Sequence, residues 1–203
     1  SIFDYEKNRN YRFLITEDNQ IKMYDSNGSI VSGFKPPLFD SNIINSPVHI
    51  RINDKDYIVV QLENGSLKIL DRRGRDRITV DSKIQYSGNP VFSYLESFTT
   101  TDKLGNLIKI DTNGNLTEQN LNLSSENLID VVENNLVYLN ENMLTIKGIN
   151  VDLPFSKFSK PKIFIDSKIM LVGITDFNEE KIYLYKDNGE LVKGFPVKGN
   201  SLI

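Results

Sequence analysis

Four segments of this chain end on nearly the same phrase, and that recurrence constrains the fold more than any other feature. Residues 21–28 read IKMYDSNG, 67–74 LKILDRRG, 107–114 LIKIDTNG and 182–189 IYLYKDNG, with a weaker copy, MLTIKGIN, at 143–150. The closing glycines Gly28, Gly74, Gly114 and Gly189 stand 46, 40 and 75 positions apart, the last interval holding two units around the weak copy. A period of ~40 residues built from short strands matches a β-propeller blade. Helical repeats of similar length place apolar residues three and four apart. Here short runs of Ile, Val, Leu, Tyr and Phe are bounded by Asn, Asp and Gly, as strands are.

Each unit reads as four strands. A first run (Val48–Ile52, Asn127–Val132, Lys162–Ile165) is followed by a second (Tyr11–Thr16, Tyr57–Leu62, Ser97–Thr101, Leu136–Leu139, Ile169–Ile174). A tight turn then leads into the signature strand. The pairs Asn27-Gly28, Asn64-Gly65, Asn113-Gly114 and Asn188-Gly189 predict hairpin tips, since both residue types accept positive φ. Ser29-Ile30-Val31 and Glu190-Leu191-Val192 read as fourth strands. Two positions of the signature strand are apolar in every copy: Ile21, Leu67, Leu107, Met143, Ile182, and Tyr24, Leu70, Ile110, Ile146, Tyr185. Three apart on a strand means opposite faces, so both faces need cover, which stacked blades supply. Gly33-Phe34-Lys35-Pro36 and Gly194-Phe195-Pro196-Val197 read as links to a next blade, each with its Phe buried between blades.

The expected fold is therefore all-β: a β-propeller of about five four-stranded antiparallel blades, either a closed five-blade ring or an arc of a larger one. A single domain is expected over 1–203, with blades at about 1–34, 47–80, 90–120, 127–153 and 161–192 and the start of a further blade at 194–203. The opening without Met and the unfinished last unit suggest a segment of a longer protein. An open seam between the blades at 1–34 and 160–195 would expose apolar strand faces and favour self-association.

Composition narrows the function classes. The chain lacks Cys, which excludes disulfides, thiolate metal sites and a Cys nucleophile. A net charge of −3 gives no reason to expect nucleic acid binding. No run of apolar residues reaches the ~18 that a membrane-spanning helix needs. His49 is the sole histidine, on an alternating strand, Pro47–Ile52, which suits a structural role better than a catalytic triad or a zinc site. Asp4, Glu6 and Asn8 place oxygen side chains at alternate positions, as calcium loops do, and Asp176–Glu180 is a second such loop. The first lacks the usual glycine and downstream bidentate carboxylate, and with a single His, no Cys and no Trp, no metal or organic cofactor is expected. Lys68, Arg72, Arg73, Arg75 and Arg77 cluster around one hairpin, a candidate patch for an anionic partner. Asp71 and Asp76 neutralise part of it.

The strand, Asp-x-Asn-Gly, strand pattern resembles propeller repeats of the pyrroloquinoline-quinone-like and FG-GAP-like kind, most clearly at Ile182–Val197, IYLYKDNGELVKGFPV. The quinone dehydrogenases of that resemblance carry a Trp docking motif, and this chain has no Trp. Lys68–Val80, with LTIKGINVDL and KPKIFI, resembles the C-terminal propeller region of large uncharacterised flavobacterial proteins, some labelled ribonuclease H type II. That activity needs clustered carboxylates on an α/β scaffold to hold two metals, and the sequence shows neither. The resemblance implies a non-catalytic binding or scaffolding domain of a larger, envelope-associated bacterial protein, with a protein, peptide or glycan partner. The alternative is a glycan-active hydrolase with paired carboxylates at the ring centre. Its candidates, Asp25, Asp71 and Asp111, recur with the repeat, which points to turn chemistry instead.

Overall fold

The structure, a computed structural model, describes residues 1–4, 8–167 and 169–201. It contains strands and turns, with no helix among the described residues. The chain forms two compact units, Ser1–Leu121 and Asn122–Ile203.

The first unit holds three antiparallel sheets. β1 (Ile2–Phe3), β2 (Arg12–Glu17) and β3 (Gln20–Asp25) form a three-stranded sheet in chain order. β4 (Val48–Ile52), β5 (Lys55–Gln61), β6 (Leu67–Leu70) and β7 (Asp76–Ile78) form the second, and β8 (Phe92–Tyr94), β9 (Ser97–Thr101), β10 (Asn106–Ile110) and β11 (Leu116–Asn120) the third. The second unit holds two more. β12 (Leu128–Val132), β13 (Asn135–Asn140), β14 (Met143–Ile146) and β15 (Ile149–Asp152) form one; β16 (Lys162–Asp166), β17 (Ile169–Asp176), β18 (Lys181–Lys186) and β19 (Val197–Lys198) form the other.

Sheets are covered as the two-faced apolar pattern requires. In the second sheet, Ile58, Val60 and Leu70 pack with Leu14, Ile21 and Met23 of the first. From its other face, Tyr57, Val59, Leu67 and Ile69 pack with Phe98, Ile108 and Ile110 of the third. Leu67 and Leu70 thus serve two different cores, and each such side chain contributes about 1.5–3 kcal/mol by leaving water. In the second unit, Val137, Leu139, Leu144 and Ile146 meet Met170, Val172, Ile174 and Tyr185 in the same way.

The turns differ from expectation in one respect. At Asn27-Gly28, Asn64-Gly65, Asn113-Gly114 and Asn188-Gly189 only the glycine takes positive φ. The amide of Gly28 donates to Asp25 O at 3.1 Å, and that of Asp25 to Ser29 O at 2.9 Å. This is a type I turn closed by a glycine bulge, the three-residue hairpin loop. The two-residue turns with both φ positive lie elsewhere, at Asn53-Asp54, Leu95-Glu96, Glu133-Asn134 and Lys147-Gly148.

The fourth strands also differ. Ser29–Val31 and Glu190–Val192 make single bridges, Tyr24↔Ile30 and Tyr185↔Leu191, rather than full strands. Val197, expected to lead toward a further blade, pairs with Ile182 of β18. The outer edge of the fifth sheet is broken at Gly194, which takes φ +94, and resumes at Val197–Lys198.

Candidate functional site

The recurring aspartates hold turns. Asp25 Oδ1 accepts the amides of Asn27 and Ser29, both at 2.9 Å. Asp71 Oδ1 accepts those of Arg73 at 2.8 Å and Arg75 at 3.0 Å, and Asp111 Oδ1 those of Asn113 at 2.8 Å and Asn115 at 2.9 Å. Asp102 repeats the arrangement at the preceding turn, with Leu104 at 3.0 Å and Asn106 at 2.8 Å. In each case the carboxylate replaces solvent for two turn amides.

His49 belongs to a cluster around a buried carboxylate that the sequence did not single out. Asp56 is 2% exposed. Antiparallel register sets Arg51 directly across from it and His49 one rung along on the same face. His49 Nε2 and Asp56 Oδ1 share a hydrogen bond of 2.8 Å. Arg72 reaches Asp56 Oδ2 through Nε at 2.8 Å and also through Nη2. Burial pushes the Asp56 carboxyl up; the hydrogen bonds from Arg72 and then His49 outweigh it and hold it below its ordinary value. The His49 ring also meets the Phe3 ring, centroids 5.0 Å apart. This is the environment of a structural ion cluster.

The five cations of the basic hairpin are divided among different partners. Arg72 serves Asp56, and Arg75 pairs with Asp71 at 2.7 Å. Arg77 donates to the Asp56 backbone carbonyl at 3.2 Å and lies 4.8 Å from the Tyr57 ring centroid. Lys68 and Arg73 have no carboxylate within ion-pair distance among the described residues.

Of the calcium candidates, Glu6 lies outside the described residues. Asp4 Oδ2 accepts the Arg9 amide at 2.6 Å, and Asn8 Oδ1 accepts the Asn10 amide at 2.9 Å. Asp176 Oδ1 accepts the amides of Asn178 and Glu179, each at 3.0 Å, and the Ser156 hydroxyl. Among the described residues no three His, Cys, Asp or Glu gather as a metal site.

A wide concavity lies in the second unit. A groove of about 700 Å³ opens between the connection that precedes β12, the β13–β14 turn at Glu141-Asn142, and the connection from β15 to β16. Its walls are tied down. The Ser124 amide donates to Asn140 Oδ1 at 2.6 Å, Asn127 Nδ2 to Ser124 O at 2.7 Å, and Asn142 Nδ2 to Leu153 O at 3.1 Å. Glu126, Glu141 and Lys157 supply charge, and Phe155 stands 95% exposed at the rim. Phe155 is the most exposed large hydrophobic side chain among the described residues. No pattern in the sequence singles out Phe155, a lone Phe after Pro154.

No protein-family model matches the sequence, and a search of characterised proteins finds none that match. Solved structures do. BBS1N, solved in complex with ARL6DN, superposes with a TM-score of 0.62 at 17% identity, over 98% of this chain and 68% of that one. BamB from Moraxella catarrhalis gives 0.55 at 14% identity, over 95% of this chain and 64% of its own. PorZ, a bacterial surface component of the type-IX secretion system of Porphyromonas gingivalis, gives 0.52 at 16% identity, over 98% of this chain and 27% of its own. The chain therefore spans about two thirds of BBS1N and BamB and about a quarter of PorZ. With five successive antiparallel sheets and these neighbours, the fold is that of a β-propeller.

Proposed function

We propose that this chain is a non-catalytic binding propeller domain, of the quinoprotein-like kind, within a larger envelope-associated bacterial protein, and that it engages a protein, peptide or glycan partner. The observation that carries this reading is the tethered groove beside Phe155: the strands of the fourth and fifth sheets hold an exposed aromatic side chain beside Glu126, Glu141 and Lys157. Loops on a rigid scaffold are where binding residues concentrate. The reading is supported by BBS1N, whose structure holds a protein partner, and by PorZ, a surface component of a secretion system. The hydrolase alternative draws less support, because Asp25, Asp71 and Asp111 each serve their own turn.

The test is binding of the labelled protein to peptide and glycan arrays, beside its Phe155→Ser variant. Specific binding lost in the variant supports the proposal. Release of new reducing ends from a glycan would favour the hydrolase, and binding unchanged in F155S would move the site elsewhere.

A further inference from the structure

A second concavity, in the first unit, has a lining of one charge sign. It measures about 250 Å³ and lies between the second and third sheets, at the end where Asn53 turns β4 into β5 and Thr112-Asn113 leave β10. Lys55 and Arg77 line it, with Tyr57 as its apolar wall and no carboxylate in the lining. Three nearby carboxylates are engaged by other groups. Asp56 is taken by Arg72 and His49, Asp54 by Arg51 at 3.4 Å, and Asp111 by the turn amides of Asn113 and Asn115.

Arg77 is placed in advance. Its Nη1 donates to the Asp56 carbonyl at 3.2 Å, and its guanidinium rests on the Tyr57 ring at 4.8 Å. One edge of the planar fork is thereby used and one face covered, which fixes the direction of the remaining N–H groups. Lys55 adds a compact point charge from the start of β5. Asn53, Thr112 and Asn113 add side chains able to donate hydrogen bonds. The volume falls below the ~300–1,000 Å³ of sites for drug-sized ligands, so it suits a small group rather than a whole large ligand.

We propose that this pocket binds a tetrahedral oxyanion group, a sulfate ester or a phosphate monoester, between Arg77 and Lys55. Two cations that line one concave site, with no carboxylate in that lining, raise the local anion concentration. The guanidinium fork and the ammonium then give charge-assisted hydrogen bonds to separate oxygens of one group. Lys55 lies on a different hairpin from the basic cluster read in the sequence, which is why spacing along the chain misses it. The pocket stands whether or not the groove beside Phe155 takes a partner.

The experiment is an NMR titration of the ¹⁵N-labelled protein with sodium sulfate, sodium phosphate, glucose 6-sulfate and glucose 6-phosphate, against sodium chloride at matched ionic strength. The expected result is saturable shifts confined to the amides of Lys55, Thr112 and Asn113 and the Arg77 Nε–H. Arg77→Gln and Lys55→Gln each weaken binding about tenfold, the loss of a charge-assisted contact, while Arg73→Gln on the same hairpin leaves it unchanged. A larger response to one ester assigns the source. Shifts spread over Lys68, Arg73 and other surface cations without saturation overturn the proposal, as do R77Q and K55Q variants that titrate like the parent.

Discussion

A β-carbon placed on Gly114 would lie 2.1 Å from the carbonyl oxygen of Thr79, just past the outer strand of the preceding sheet. The same relationship recurs. At Gly74 it would meet Pro36 N at 2.6 Å, and at Gly189 the Cγ2 atoms of Ile149 and Val151 at 3.1 Å. The repeat's closing glycine therefore answers two demands at once. It takes the positive φ of the bulge, and at Gly114 and Gly189 it lets the turn bed onto the edge of the sheet before it, while at Gly74 it lets the turn bed onto the connection at Pro36.

Gly114→Ala is expected to cost about 2–4 kcal/mol, combining left-handed strain with a backbone clash. Gly28→Ala meets nothing within 4 Å and carries only the strain of φ +77, about 1 kcal/mol. Urea denaturation of the two variants checks this. Equal losses would mean that the turn does not bed against Thr79.

Asp56→Asn is expected to cost about 1–3 kcal/mol at neutral pH, since Arg72 and His49 lose a charged acceptor. The folded-state value of this carboxyl lies below its ordinary 3.8. Its stabilisation is therefore fully present above about pH 4 and is lost as pH falls through the folded value. The stability gap between parent and D56N should narrow from pH 5 to pH 2.5. A gap that stays constant across that range would contradict the assignment.

In the second unit, Asp130 joins two sheets. Its Oδ2 accepts the buried Ile163 amide at 2.9 Å, and its Oδ1 lies 3.5 Å from Lys160 Nζ. Burial lowers the Lys160 pKa, and the Asp130 charge only partly restores it. Asp130→Ala leaves the Ile163 amide without its acceptor and should cost about 1–3 kcal/mol. Hydrogen exchange at Ile163 should accelerate in step. Protection unchanged at that amide would show that the bond does not form in solution.

The signature strands were legible because a strand apolar on both faces, such as Leu67–Leu70, has few alternatives. The recurring aspartates were legible because their spacing from Asn-Gly is local chemistry. The turns at Leu95-Glu96 and Glu133-Asn134 were not, since their residues carry no glycine signal and the sheets on either side impose the positive φ. Asp56 was hidden for a related reason. An acidic residue opening an apolar strand looks solvated until cross-strand register brings His49, Arg51 and Arg72 to it. Phe155 and Lys55 gain meaning only from neighbours on other connections.

The groove beside Phe155 is the proposed site where this domain meets its partner. The direct measurement is photocrosslinking in cells that natively express the protein, with a photoreactive residue at position 155 and, as the control, at Asp54, whose side chain is 98% exposed in the first unit. A discrete adduct is expected from position 155 and none from position 54. No discrete adduct at 155, or the same adducts from both positions, would contradict it.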